Sequence, residues 1–169
     1  MKYKEKRLHC GERLIGNLQE EIAEIEKVVR TVQWKEEFSI LFNDDHFYHQ
    51  RAYNKAFEIE FSKHDWETQP KLKDSPRLIG DFSKGLVFVE IQFGNSSTLY
   101  RDFYKFQYGL QNGLLSLAVL IVPDNEYEFF PTRPKSVHNM ANFKLAERYF
   151  TVLPIDVPTW IMGLLPDDE

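Results

Sequence analysis

Two carboxylates and an amide, Asp81, Glu90 and Gln92, stand at a spacing that two adjoining β-strands would bring to one point. The run from Gly85 to Phe93, Gly-Leu-Val-Phe-Val-Glu-Ile-Gln-Phe, is rich in β-branched and aromatic residues, and Ser83-Lys84-Gly85 ahead of it can turn a hairpin. Residues two apart in a strand share a face, so Val89, Ile91 and Phe93 are expected in the core with Glu90 and Gln92 on a cleft. Asp81 closes the preceding strand, Arg77 to Phe82, where an antiparallel neighbour sets it beside Glu90. Converging carboxylates repel, and a proton or a divalent cation must relieve them; a hard cation such as Mg²⁺, with Mn²⁺ as a substitute, suits oxygen ligands. The plain alternative is a polar strand face carrying an ordinary acid and amide.

The elements that must hold these residues follow from periodicity. Leu14, Leu18, Ile22, Ile25, Val29 and Val32 recur at helical spacing and predict an amphipathic helix over about 12–33, with Glu20, Glu21, Glu24 and Glu26 outward. Asn43-Asp44-Asp45 reads as the cap of a second helix reaching about His64, with Tyr53, Phe57 and Phe61 at helical spacing. Strands are expected at about 77–82 and 86–93. Ser96-Ser97 caps a helix through about Gln111, ended by Asn112-Gly113, and Leu114 to Val122 reads as a buried strand. A helix at about 136–150 and a strand at about 157–165 follow. This alternation indicates an α/β fold, helices layered on a mixed β-sheet.

The block Asp81-Phe-Ser-Lys-Gly-Leu-Val-Phe-Val-Glu-Ile-Gln-Phe-Gly-Asn95 resembles the catalytic hairpin of the BglII/BstYI-type restriction endonucleases, a branch of the PD-(D/E)XK nuclease superfamily in which Gln replaces the usual Lys. Upstream, Tyr53 to Trp66 looks like that family's helix ending in a Trp. Downstream, Leu117 to Pro123 and Ile155 to Leu165 look like its later core strands, so the likeness spans about 45–165. The resemblance implies a restriction-endonuclease-like core in a single domain over 1–169, acting as a homodimer on double-stranded DNA at a short palindrome with a GATC-like core. It implies Asp81, Glu90 and the main-chain carbonyl of Ile91 as Mg²⁺ ligands. Gln92, which cannot act as a base, would orient water or phosphate. Gln69, three residues after Trp66, falls near another polar active-site position. Departures are the absence of a BglII-like C-terminal extension and a Trp66-to-Asp81 connection shorter than in BstYI. A nuclease fold that binds DNA without cutting, or a structure-selective repair nuclease, remains the alternative.

The helix start after the hairpin offers Asn95 and Ser97, either as base readers in a major groove or simply as helix caps, since the residue types are the same. Ser136, His138 and Asn139 would form a second reading element, with Arg133 and Lys135 on phosphate and Lys84 beside the catalytic strands. At 169 residues and a net charge of −5 the chain is acidic overall, so any DNA-binding face has to come from the distribution of its cations. One cysteine, Cys10, excludes an internal disulfide and a cysteine-based zinc site. His46 and His49 beside Asp44 and Asp45 allow a transition metal, or are a capped helix start. No run approaches membrane-spanning length and no signal peptide is evident, so the expected location is intracellular, the cytoplasm of a prokaryotic-type cell.

Overall fold

A computed structural model describes residues 1–33, 39–42, 45–48, 50–130 and 137–166. In chain order these form β1 (Lys2–Leu8), α1 (Glu12–Asn17), α2 (Gln19–Thr31), β2 (Ser39–Phe42), β3 (Asp45–Tyr48), α3 (Gln50–Ser62), β4 (Glu67–Thr68), β5 (Lys71–Lys73) and β6 (Leu78–Ile79). They continue with β7 (Phe82–Lys84), β8 (Val87–Ile91), a 3₁₀ turn (Ser96–Thr98), α4 (Leu99–Gln111), β9 (Leu117–Pro123), α5 (Glu126–Phe129), α6 (Phe143–Val152) and β10 (Thr159–Leu165). A six-stranded sheet runs β1-β10-β9-β8-β7-β4, while β2-β3 and β5-β6 pair as separate ribbons. The pairs β8·β9 and β9·β10 are parallel and the outer pairs antiparallel, the mixed sheet that the sequence leads one to expect.

Alternation along the central strands divides the interior in two. Val87, Val89 and Ile91 of β8 and Leu117, Val119 and Ile121 of β9 pack with α2 and α3. Phe88 and Ala118, Leu120 and Val122 pack with α4 and α6. Both faces are covered, which is why β9 is an unbroken apolar run. On α3 the stripe Tyr53, Phe57 and Phe61 is fully buried whereas Ile59 is exposed, so the aromatics choose the docking face, each contributing on the order of 1.5–3 kcal/mol by burial. Phe61 stacks on Phe82 with ring centroids 4.4 Å apart, fixing α3 to the hairpin next to Asp81.

Several expectations need correction. The first helix is two, broken at Leu18 (φ −118°, ψ 25°) just after Gly16-Asn17, which favour a helix weakly. The second helix begins at Gln50 rather than at 43, because 45–48 pairs with 39–42 as a hairpin. The strand expected over 77–82 is interrupted at Gly80-Asp81: Leu78–Ile79 pairs with β5, and β7 starts only at Phe82. The helix expected from 136 starts at Phe143, where the Asn142 side chain accepts the Leu145 N–H at 2.9 Å. β1 is an additional strand whose charged sequence hides it; it is a sheet edge, where charge blocks further pairing. No helix among the described residues is long and apolar enough to cross a membrane.

Candidate active site

The register of the β7·β8 hairpin decides the geometry. Phe82 lies opposite Val89, Ser83 opposite Phe88 and Lys84 opposite Val87, so one step further back Asp81 falls opposite Glu90. Asp81 sits in the bend that precedes β7, and its Oδ2 accepts the Ile91 N–H at 2.7 Å. Val89, Ile91 and Phe93 are core residues as expected. Glu90, however, does not face an open cleft: it shares the Phe88 side of the strand, points at the α4 layer and is only 4% exposed.

There it meets two charged residues that the sequence reading passed over. Lys105 of α4 places Nζ 2.6 Å from Glu90 Oε1 and 2.9 Å from Asp102 Oδ1. Asp102 Oδ2 in turn accepts the Gln92 side-chain N–H at 2.8 Å, and Gln92 Oε1 accepts the Gly94 N–H at 2.9 Å. A side chain on Gly94 would put its Cβ 2.7 Å from Gln92 Oε1, so any larger residue there would displace the Gln92 amide. The signal for the missed pair lies in α4 itself, where Asp102 and Lys105 are buried together with Leu99, Phe106 and Gly109. Charges on a buried helix face need partners, and those partners are the site.

Burial, followed by the charge of Asp81, pushes the Glu90 carboxyl well above its usual range; Lys105 opposes this without cancelling it. Burial also raises Asp81, against the Ile91 N–H and Lys105. Lys105 is desolvated, yet the carboxylates of Glu90 and Asp102 outweigh that and hold its ammonium above the ordinary value. The cluster of Asp81, Glu90, Asp102 and Lys105 therefore carries an excess of negative charge that only a proton or an added cation relieves.

On the other side of Asp81 a cavity of about 180 Å³ is lined by Asn54 and Glu58 of α3, Thr68, Gln69, Phe82 and Ile91. Gln69 thus borders Asp81, and its N–H donates to the Asp81 carbonyl at 2.9 Å. Asn54 and Glu58 are further polar neighbours that helical spacing alone gave no reason to select.

The two segments expected to read DNA come together. Ser96 N–H donates to the Asn139 carbonyl at 2.7 Å, Ala141 N–H to the Gly94 carbonyl at 2.9 Å, and Asn95 and Met140 form a β-bridge. Asn95 and Ser97 are exposed, but Asn95 Oδ1 accepts the Ser97 N–H at 2.9 Å, the cap geometry. His138 and Asn139 contact each other through Nε2 and Nδ2 at 2.9 Å. Lys84 is not presented toward a phosphate. Its ammonium lies 2.7 and 2.8 Å from the two Glu24 oxygens and 3.0 Å from the His64 carbonyl. Glu24 also accepts the Trp66 indole N–H at 2.8 Å, so this residue, expected outward, ties α2 to the hairpin. Arg133, Lys135 and Ser136 lie outside the described residues, as do Asn43, Asp44, His49 and the side chain of His46.

The family model described as restriction endonuclease BglII/BglIII matches residues 3–164. The chain belongs to this family. Among solved structures it is similar to one titled as restriction endonuclease BglII complexed with a DNA 16-mer, with a TM-score of 0.73 and 18% identity over 100% of this chain and 78% of that one. At that identity the likeness bears on the fold, which agrees with the mixed sheet flanked by helices. No curated protein sequence matches the chain.

The site of this BglII-family chain suits a hard cation. Its donors are carboxylate and carbonyl oxygens, and both carboxylates are strained by burial. Among the described residues no group of three or more His, Cys, Asp or Glu is arranged to hold a metal by itself. Two carboxylates with a main-chain carbonyl are a donor set that a hard cation can take, with water and phosphate filling its remaining positions.

Proposed function

We propose that the chain is a divalent-metal-dependent deoxyribonuclease of the restriction type, hydrolysing phosphodiester bonds of double-stranded DNA. The observation that carries this reading is Asp81 opposite Glu90 at the β7·β8 hairpin, two carboxylates that converge while Lys105 contacts Glu90. Asp81, Glu90 and the Ile91 carbonyl would hold Mg²⁺ or Mn²⁺. When bound, the cation supplies a water of lowered pKa and positive charge against the phosphate in the transition state. Asp81 keeps its orientation through the Ile91 N–H, and Glu90 through Lys105. The Gln92 amide retains one N–H and one lone pair beyond its bonds to Asp102 and Gly94, with which it can orient water or a phosphate oxygen. The test is incubation with plasmid and phage DNA with Mg²⁺ or EDTA, followed by sequencing of the ends. Discrete metal-dependent fragments are expected, and intact DNA under all metals overturns the reading.

Recognition of a palindrome with a GATC-like core by a homodimer belongs to the same proposal. The junction of 94–96 with 139–141 supports one continuous reading surface that includes Asn95, Ser97, His138 and Asn139. Exposed Tyr100 and Tyr104 on α4, with Tyr100 stacked on Tyr149 of α6 at 5.2 Å, support pairing through these helices. A monomeric mass by light scattering, free and with DNA, contradicts the dimer, and ends without a common palindrome contradict the specificity.

A further inference from the structure

Gln92 can sit in two orientations that differ only by exchange of its oxygen and nitrogen, and they present opposite chemistry to whatever lies beside it. Its two protein partners choose between them. A carboxylate accepts and cannot donate, so Asp102 Oδ2 at 2.8 Å requires Nε2; a backbone N–H donates and cannot accept, so Gly94 N at 2.9 Å requires Oε1. The constraints agree. Asp102 is 2% exposed and is held from behind by Lys105, whose ammonium also grips Glu90.

We infer that Asp102 is a positioning residue, which locks the Gln92 amide with its nitrogen toward α4, while Lys105 couples that orientation to the Glu90 carboxylate. The inference rests on the nuclease reading above for its consequence in turnover, and on the geometry alone for the lock. An unbroken chain of contacts, Gly94 to Gln92 to Asp102 to Lys105 to Glu90, links the amide to a ligand carboxylate through a helix that does not belong to the hairpin. Asp102 has no access to substrate, so it acts only through these neighbours.

Asp102→Asn separates this role from that of a plain buried counterion. If Lys105 keeps the Asn oxygen, the Asn amide nitrogen faces Gln92, which must turn its own oxygen inward and leave Gly94. Turnover is expected to fall by about 10–100-fold with KM near that of the parent, as for partners that orient ligands. The same substitution in a Gln92→Ala background is expected to change kcat little, because the amide through which it acts is gone. The side-chain amide resonances of Gln92, followed by ¹⁵N NMR in metal-free protein, should move in Asp102→Asn. An undiminished kcat, an equal loss in the Gln92→Ala background, or unmoved amide resonances overturns the assignment. If the parent protein cleaves no DNA, the nuclease reading falls and the resonances still decide the lock. If Asp102→Asn does not fold, hydrogen exchange in the parent decides: one Nε2 proton protected supports the lock, and two exchanging freely refute it.

Discussion

Replacing Lys105 by Met tests the electrostatics of the site without touching its carboxylates. Methionine fills a similar volume, so the loss is the ammonium, its contacts of 2.6 Å to Glu90 and 2.9 Å to Asp102, and a longer one of 3.4 Å to the Ile79 carbonyl. Both partners are about 5% exposed or less, so water cannot replace it. Removing one member of such a buried network costs about 3–5 kcal/mol, which for a chain of this length lowers Tm on the order of 6–20 °C. The sign of the pH dependence follows from the raised carboxyls. Asp81 and Glu90 titrate above their unfolded values, so the folded state is favoured below those values and loses that advantage as pH rises through the folded ones. Without Lys105, Glu90 rises further. The deficit of Lys105→Met relative to the parent is therefore expected to be smaller in mildly acidic buffer than in mildly alkaline buffer. Urea unfolding followed by circular dichroism at both pH values, in metal-free buffer, measures it. A deficit under about 1 kcal/mol, the scale of an exposed ion pair, or one independent of pH, refutes the cluster as described.

Asp81→Ala or Glu90→Ala should abolish cleavage while DNA binding in a gel-shift assay survives, since on the proposed reading each removes a metal ligand and a charge that repels phosphate. Asn95→Ala should lower stability by about 0.5–2 kcal/mol through loss of the bond to Ser97 N–H. Unchanged sequence preference would confine Asn95 to capping, whereas a relaxation of about 1–3 kcal/mol at one base pair in a selection assay would make it a reader as well. Gly94→Ala should reduce kcat with little effect on metal affinity by calorimetry, because the new Cβ lies 2.7 Å from Gln92 Oε1 and displaces the amide.

The hairpin was legible in the sequence because its signals are local: alternation over 87–93, a turn-forming segment and a carboxylate at Asp81, nine positions before Glu90. The parallel strands β9 and β10 were legible as apolar runs. Contacts between distant elements were not. Nothing near Lys84 announces Glu24, which captures it across 60 positions, so a cation beside the catalytic strands read as a phosphate ligand. Lys105 and Asp102 sit on a helix whose aromatic residues dominate its pattern, and their burial emerges only when the α4 face meets Glu90. The start of the second helix failed for a different reason: residue types that cap a helix also flank strands, and the pairing of 39–42 with 45–48 puts Asp45 at the start of a strand, so the helix begins only at Gln50.

The Gly85-Leu86 turn between β7 and β8 is only two residues long, and Leu86 is 46% exposed. Exposed loops ordinarily absorb insertions with little penalty. This one is a ruler. One extra residue that slid β7 against β8 by a single position would set Asp81 against Ile91, whose side chain belongs to the opposite layer, and turn the carboxylate away from Glu90. Length is thus a property under stricter control here than composition: many residues can replace Leu86, but none can be added beside it without dismantling a centre several positions away.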